Sequence, residues 1–518
     1  APAPAPARSR FRSCAMGALG EGCFGGELEC NGLGQVLRVG MEEEEEGGRG
    51  SVSESESESG STAGIEDAVK VLLQGLGEDP DREGLRRTPL RVAKAFREGT
   101  RGYRESAHDI VQGALFPEAG LKIGTGQAGG TGGLVVVRDI TLFSYCESCL
   151  LPFSVQCHVG YVPSGQRVVG LSKLARVADV FAKRLQDPQR LANDVCSALE
   201  SSIKPAGVVV YLQCWHIQFP EVTRNYLVQR QRSKSDSEGW LQVPACSSSG
   251  VFEEENSIFW IDFLALLKFR GVNVTKKPKH IFPIQQSWCP LRSQEMPVCN
   301  GHNANPTNFT VTSKSGTTQA TMLAAVSSIL TLLGEDPQRK ELVGTPHRFV
   351  QWLMNFKRSS FEWKLNGFSN SIVDLYKKAH EDVGYDQSVI HSELNLPFCS
   401  QCEHHLLPFH GVVHVGYFGS QELKPVDRSM LQSVVHFYSS KLQVQERLTR
   451  LIAEMVSSIV HRGVLVVVEA NHICMISRGI EKVGSSTATI AVLGQFATNI
   501  EAREMFLQGI SNSYAPGE

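Results

Sequence analysis

Nowhere in its 518 residues does the chain hold an apolar run near the roughly 20 residues a membrane-spanning helix requires, so no membrane span is expected. A secretory apolar core is also missing from the first residues. The 14 cysteines are therefore not read as a disulfide framework; a reducing compartment, with a few thiols committed to metal, is expected. The net charge is only −3, which gives no sign of a nucleic-acid or anionic-membrane partner. What is present is ordinary: 42% hydrophobic and 20% charged residues suit a globular protein, and the length suits two or three domains.

Residues 1–61 lack apolar periodicity. They read APAPAPA, then MEEEEEGG, then SESESESG, a composition that buries too little apolar surface to offset chain ordering, and disorder is expected. Arg8, Arg10 and Arg12 would suit a transit peptide, but the acidic runs that follow do not, and a cytoplasmic location is expected. Gly124 to Gly129 match a dinucleotide fingerprint. They precede an expected strand, Leu134–Ile140, instead of linking a strand to a helix, so a loop is the reading.

Beyond the head, the chain repeats itself. Asp67–Phe96 matches Ala324–Leu353: an apolar-periodic helix ends near Gly-Glu-Asp-Pro, and Thr88-Pro89 or Thr345-Pro346 opens the next as N-cap and first-turn proline. CESCLLPF at Cys146–Phe153 matches CEHHLLPF at Cys402–Phe409. Alternating β-branched strands, helices containing RLQDPQRL and KLQVQERL, and further valine-rich strands follow in both. The expectation is an α+β domain occurring twice, over 62–270 and 316–518, with 271–315 as linker, because that stretch is rich in Pro, Asn, Gln and Ser.

Cys402 and His405, at C-x-x-H spacing, can reach one metal from a single turn. A third ligand comes from His472-Ile473-Cys474, where extended chain would set His472 and Cys474 on one face. Two cysteines and one histidine leave a fourth position for water, the mark of catalytic rather than structural zinc. His404 and His472 then stand beside the metal as acid–base candidates. Buried core thiols with satisfied histidines compete with this reading on spacing alone.

CEHH, QVQER and HICMISRG, in that order, resemble GTP cyclohydrolase I, and the tandem units resemble its two-domain plant form. The resemblance implies a T-fold: an antiparallel sheet with paired helices, whose sheets join into a barrel on homo-oligomerisation. It implies that GTP is opened at C8 to formate and 7,8-dihydroneopterin triphosphate, the first step of tetrahydrofolate synthesis. It implies Zn2+ on Cys402, His405 and Cys474, proton transfer by His404 and His472, guanine binding by Gln445 and Glu446, and Arg478 on the triphosphate.

The halves have lost complementary parts. The family's Ser-Lys-x-x-Arg run survives as Ser172, Lys173 and Arg176, whereas the second half reads Ser429, Met430 and Ser433. Arg91 and Lys94 likewise become Arg348 and Gln351. Conversely, Ser148 and Cys149 stand for His404 and His405, and Pro188-Gln189 for Gln445-Glu446. Aligning His472 and Cys474 with Cys214 and His216, and Arg478 with Pro220, makes Cys146, Cys149 and His216 residues of a vestigial pocket, with a Cys2His site as the alternative. The expected working site therefore combines the metal and guanine end of the second domain with the Lys173/Arg176 end of the first. The competing class is an inactive nucleotide-binding or scaffold homologue.

Overall fold

The computed structural model describes residues 52–117, 133–164, 167–217, 240–254, 256–272, 274, 288–293, 313–362, 388–420, 425–460, 462–480 and 482–514. The glycine-rich stretch 124–129 lies outside them. Among the described residues no helix is long and apolar enough to cross a membrane.

The first half carries helices α1 (Val52–Gly75), α2 (Thr88–Gly99) and α3 (Ala107–Val111), then strands β1 (Leu115–Pro117), β2 (Val135–Cys146), β3 (Pro152–Val162) and β4 (Arg167–Val169). It continues through α4 (Leu171–Ala182), β5 (Leu185–Gln186), α5 (Pro188–Ile203), β6 (Gly207–Ile217), β7 (Trp240–Gly250) and α6 (Ile258–Lys268). A short helix, α7 (Pro290–Ser293), precedes the second half. That half comprises α8 (Ser313–Leu332), α9 (Thr345–Glu362), β8 (Ser388–Cys402), β9 (Pro408–Ser420), α10 (Arg428–Ser439), β10 (Leu442–Gln443) and α11 (Gln445–Val460). It ends with β11 (Gly463–His472), α12 (Ile473–Ile476), β12 (Thr487–Gly494) and α13 (Ile500–Tyr514).

Each half is an α+β unit on a five-stranded sheet, ordered β5-β2-β3-β6-β7 and β10-β8-β9-β11-β12. The sheets are mixed: the long strands pair antiparallel, but β5 joins β2, and β10 joins β8, in parallel. The repeat extends to irregularities. Bulges interrupt β2–β3 between Val137 and Ile140 and β8–β9 between Glu393 and Leu396, where Asp139 and Asn395 hold left-handed backbone. Leu150 and Leu406 do the same in the CESCLLPF and CEHHLLPF turns. A leucine there costs about 1–3 kcal/mol, so the surrounding packing must hold it. The helices follow apolar periodicity: α11 buries Leu448, Ile452, Ala453, Val456 and Ile459 against the sheet, and α4 buries Leu174, Val177 and Ala178 while exposing Ser172 and Arg176.

Three local readings change. Helix α1 starts at Val52, inside the segment 1–61 expected to be disordered. Thr88 is not an N-cap: α2 begins at Thr88 itself, and its hydroxyl donates instead to the Glu403 carbonyl of the other half at 2.7 Å. Within 271–315, Trp288 and Cys289 are buried in the core.

The halves are exchanged, not merely adjacent. Just as Thr88 caps the Glu403 turn, Thr345 of α9 donates to the Glu147 carbonyl at 2.6 Å, and Arg348 donates to Ser148 at 2.6 Å. Each half's helical hairpin thus closes the other half's Cys-Glu turn. One apolar core runs through both, with Leu72 and Leu73 of α1 joining Val326 and Leu330 of α8, beside a smaller cluster in each half. Gly75 admits Met322 so closely that a Cβ there would sit 2.4 Å from its sulfur.

Candidate functional site

Hydrogen bonds from the Cys402 amide to Leu407 (2.8 Å) and from the Leu406 amide to Cys402 (2.9 Å) close the turn between β8 and β9. The left-handed Leu406 reverses the chain, which aims Cys402 and His405 at one point. Strand β11 ends at His472, and Cys474 sits on the one-turn helix α12. The expected alternation of His472 and Cys474 along a strand is therefore replaced by a helical turn. One donor atom each from Cys402, His405 and Cys474 lies within 4.8 Å of the other two.

The donor set fits a metal. Nδ1 of His405 is buried without a hydrogen-bond partner among the described residues. A hydrogen bond from the Cys474 thiol, aided by His405, pulls Cys402 down against the effect of burial, while Cys474, the donor, is pushed up. His404 stands half-buried beside His405, its ring nearly perpendicular, with centroids 6.4 Å apart.

Gln445 opens α11, and its amide is fully engaged. Nε2 donates to the Val468 carbonyl at 3.0 Å and to the Thr487 carbonyl at 2.8 Å, and Oε1 faces Nε2 of His472 at 2.7 Å. An amide oxygen only accepts, so the bond places a proton on that histidine nitrogen. Phe409 stacks on the ring at 4.8 Å and 6°, completing its orientation. Gln445, expected at the guanine edge, thus hydrogen-bonds His472. Glu446, next along the first turn, is exposed. Arg478 is also exposed, its Nε anchored to the Cys474 carbonyl at 2.7 Å.

The first half walls this site. Tyr145, at the end of β2, is buried with its hydroxyl pushed up by burial and in the field of Arg478 and Cys474. Phe143 lies where a Cβ on Gly479 would meet it at 3.3 Å. Lys183 caps the Phe143 ring at 6.0 Å and interacts with Asp179. Asp179 in turn lines a cavity of about 530 Å³ with Lys173, Arg176, Arg101 and Ser106. Phe143, Lys183 and Asp179 thus lie in sequence between the neighbourhood of Gly479 and the cavity that Lys173 and Arg176 line. Arg91 and Lys94 lie on α2, the helix that Thr88 fixes to the Glu403 turn; Ser172 is exposed on the first turn of α4.

Glu403 takes no part in the donor set. Its carboxylate, 3% exposed, lies 2.6 Å from Arg447 and 3.1 Å from Arg82 of the first half. Burial opposes its ionisation, but the two guanidiniums outweigh that and hold the carboxyl below its ordinary value. Glu147 is its twin, 2.7 Å from Arg190 and 3.2 Å from Arg339, though there burial wins and the carboxyl is raised. Glu403→Gln should lower stability by about 3 kcal/mol, toward the low end for a buried pair because both arginines keep a face in water. Urea unfolding should show it; an unchanged midpoint would mean the pair contributes nothing.

Tyr145, Phe143, Arg82 and Thr88 are the site residues that sequence reasoning misses. Their signal is spatial only.

The register also corrects the alignment of the halves. In β9–β11, Phe409 pairs with His472; in β3–β6, Ser154 pairs with Trp215, and one more step along the ladder sets His216 opposite Phe153. His216 is therefore the counterpart of His472, not of Cys474. By the same register Cys474 corresponds to Gln218 and Arg478 to Val222, which lie outside the described residues.

The profile of the GTP cyclohydrolase I family matches residues 65–223 and 322–511. The chain is 55% identical to GTP cyclohydrolase 1 of Solanum lycopersicum over 97% of its own length and 100% of that relative's. It is 51% identical to GTP cyclohydrolase 1 of Arabidopsis thaliana over 96% of its own length and 98% of that protein. To the shorter GTP cyclohydrolase 1 of Gloeobacter violaceus it is 42% identical over 37% of this chain and 78% of the relative.

Proposed function

The chain belongs to the GTP cyclohydrolase I family, and on that premise we propose that it hydrolyses GTP at C8 to 7,8-dihydroneopterin triphosphate and formate, feeding pterin and folate synthesis. The observation that carries this reading is the Cys402–His405–Cys474 donor set, walled by the other half of the same chain. These three residues would hold zinc. Zinc bound there lowers the pKa of water to about 7 and so supplies hydroxide.

The remaining steps belong to side chains. Glu446 accepts hydrogen bonds from the guanine N–H groups, which rejects purines lacking them because the carboxylate would be left unpaired. His472, oriented by Gln445 and Phe409, and His404, on the metal turn, move protons to and from the purine and the ring-opened intermediate. Arg478, Lys173, Arg176, Ser172, Arg91 and Lys94 meet the triphosphate, whose roughly four charges call for several cations. Drawing these groups from both halves makes each chain one composite site.

Among the described residues the outer strands of each sheet pair on one side only, which supports homo-oligomerisation, sheet to sheet, as the means of covering them. Free thiols at the site suit a reducing compartment such as the cytosol. Purified protein incubated with GTP should release formate and give the fluorescence of oxidised neopterin. Zinc-loaded protein that yields neither would leave a nucleotide-binding homologue.

A further inference from the structure

We propose that the first half holds a second metal, a structural zinc ion bound by Cys146, Cys149, His216 and Cys289. One donor atom from each lies within 4.8 Å of the other three, and none of the four residues has measurable exposure. Zinc with sulfur ligands at about 2.3 Å spaces its donors by under 4 Å in a tetrahedron, so the cluster needs little contraction. Cys149 Sγ already lies 3.3 Å from His216 Nε2.

The histidine is prepared as a ligand. Nδ1 of His216 lies 2.8 Å from the Ile217 carbonyl, which can only accept, so Nδ1 carries the proton and the Nε2 lone pair faces the sulfurs. Phe153 and Trp288 enclose the site, with Trp288 edge-on to His216 at 4.9 Å and to Phe153 at 4.8 Å. Three thiols alone could be core residues, since cysteine packs as a small hydrophobe. An imidazole with a lone pair aimed at three sulfurs in a dry core is not explained that way.

The ligand set is a reworking of the other half's. Cys146 stands where Cys402 does and Cys149 where His405 does, while His216 occupies the place of His472, the acid–base candidate. Gln218 replaces the third ligand Cys474, and Cys289, from the connecting segment, completes the set. Four ligands close the coordination sphere, which leaves no position for water and marks the site as structural. Ser148 and Pro188-Gln189 remove the groups chemistry would need. The zinc would instead fasten Trp288–Ser293 to the first half, where α7 packs against α9, the helix that closes the Glu147 turn. Such sites contribute binding energy directly to folding.

The test reads metal content, independently of turnover. The full chain, purified under reducing conditions and freed of loose metal, should carry about two zinc ions, and Cys474→Ser and Cys289→Ser about one each. About one in the full chain, with none left in Cys474→Ser, would overturn the proposal. If Cys289→Ser fails to fold, cobalt is loaded into Cys474→Ser, where the first-half site alone remains intact. Intense thiolate-to-cobalt bands of tetrahedral form are expected, and their absence counts against the site as fully. Limited proteolysis should cut near Trp288 faster after chelation than before; equal rates would refute the fastening role.

Discussion

His472→Ala is expected to lower kcat by about 10²- to 10⁴-fold, the range for a lost general acid–base group, with zinc content unchanged. The geometry separates this histidine from the ligands: its Nε2 is engaged by Gln445 at 2.7 Å, while the donor cluster comprises Cys402, His405 and Cys474. Gln445→Leu tests the same arrangement one step out. It keeps the helix but removes both the acceptor that orients His472 and the donors to Val468 and Thr487. Misplacing a reacting group by about 1 Å costs about 10²-fold, so a kcat loss of that size with KM for GTP unchanged is expected. A rise in KM at constant kcat would return Gln445 to the guanine edge, and loss of zinc from His472→Ala would make that histidine a ligand.

What sequence shows and hides here divides along a physical line. The Cys402/His405 pair is legible because C-x-x-H spacing on one turn is a local property, and the repeat is legible because apolar periodicity and the CESCLLPF and CEHHLLPF frames recur. The mixed character of the sheets is not, since β5 and β10 are two-residue strands with no pattern of their own. Thr88 reads as a helix cap because Thr-Pro caps helices; that its hydroxyl crosses to Glu403 depends on how the halves are exchanged, which no spacing encodes. Cys214 and His216 resemble a swapped His472 and Cys474 until the β3–β6 ladder fixes the register. Cys289 carries no local signal that separates it from Cys299 in the same stretch of Pro, Asn, Gln and Ser, and only the packing of Trp288 against Phe153 and His216 places it.

Lys173→Met with Arg176→Ser, which copies the second half's residues into the first, should raise KM for GTP by about 100-fold and leave zinc content unchanged. A hydrogen bond to a charged group contributes about 1.5–3 kcal/mol when well buried. Lys173 is half-buried and Arg176 exposed, so about tenfold each is the appropriate share. The preference for GTP over GMP should shrink in step, because only the outer phosphates lose partners. The reverse exchange, Met430→Lys with Ser433→Arg, should not rescue the double variant. Phe143 of the first half, on the strand that α4 packs against, lies beside Gly479 of the other half, and the composite site proposed here takes its phosphate contacts from α4 and none from α10. Rescue by those two substitutions would mean that each metal site draws its phosphate contacts from its own half, and the composite site would fail. Unchanged KM in the first variant would fail it equally, since the charges at the Lys173/Arg176 cavity would then be a solvated helix face.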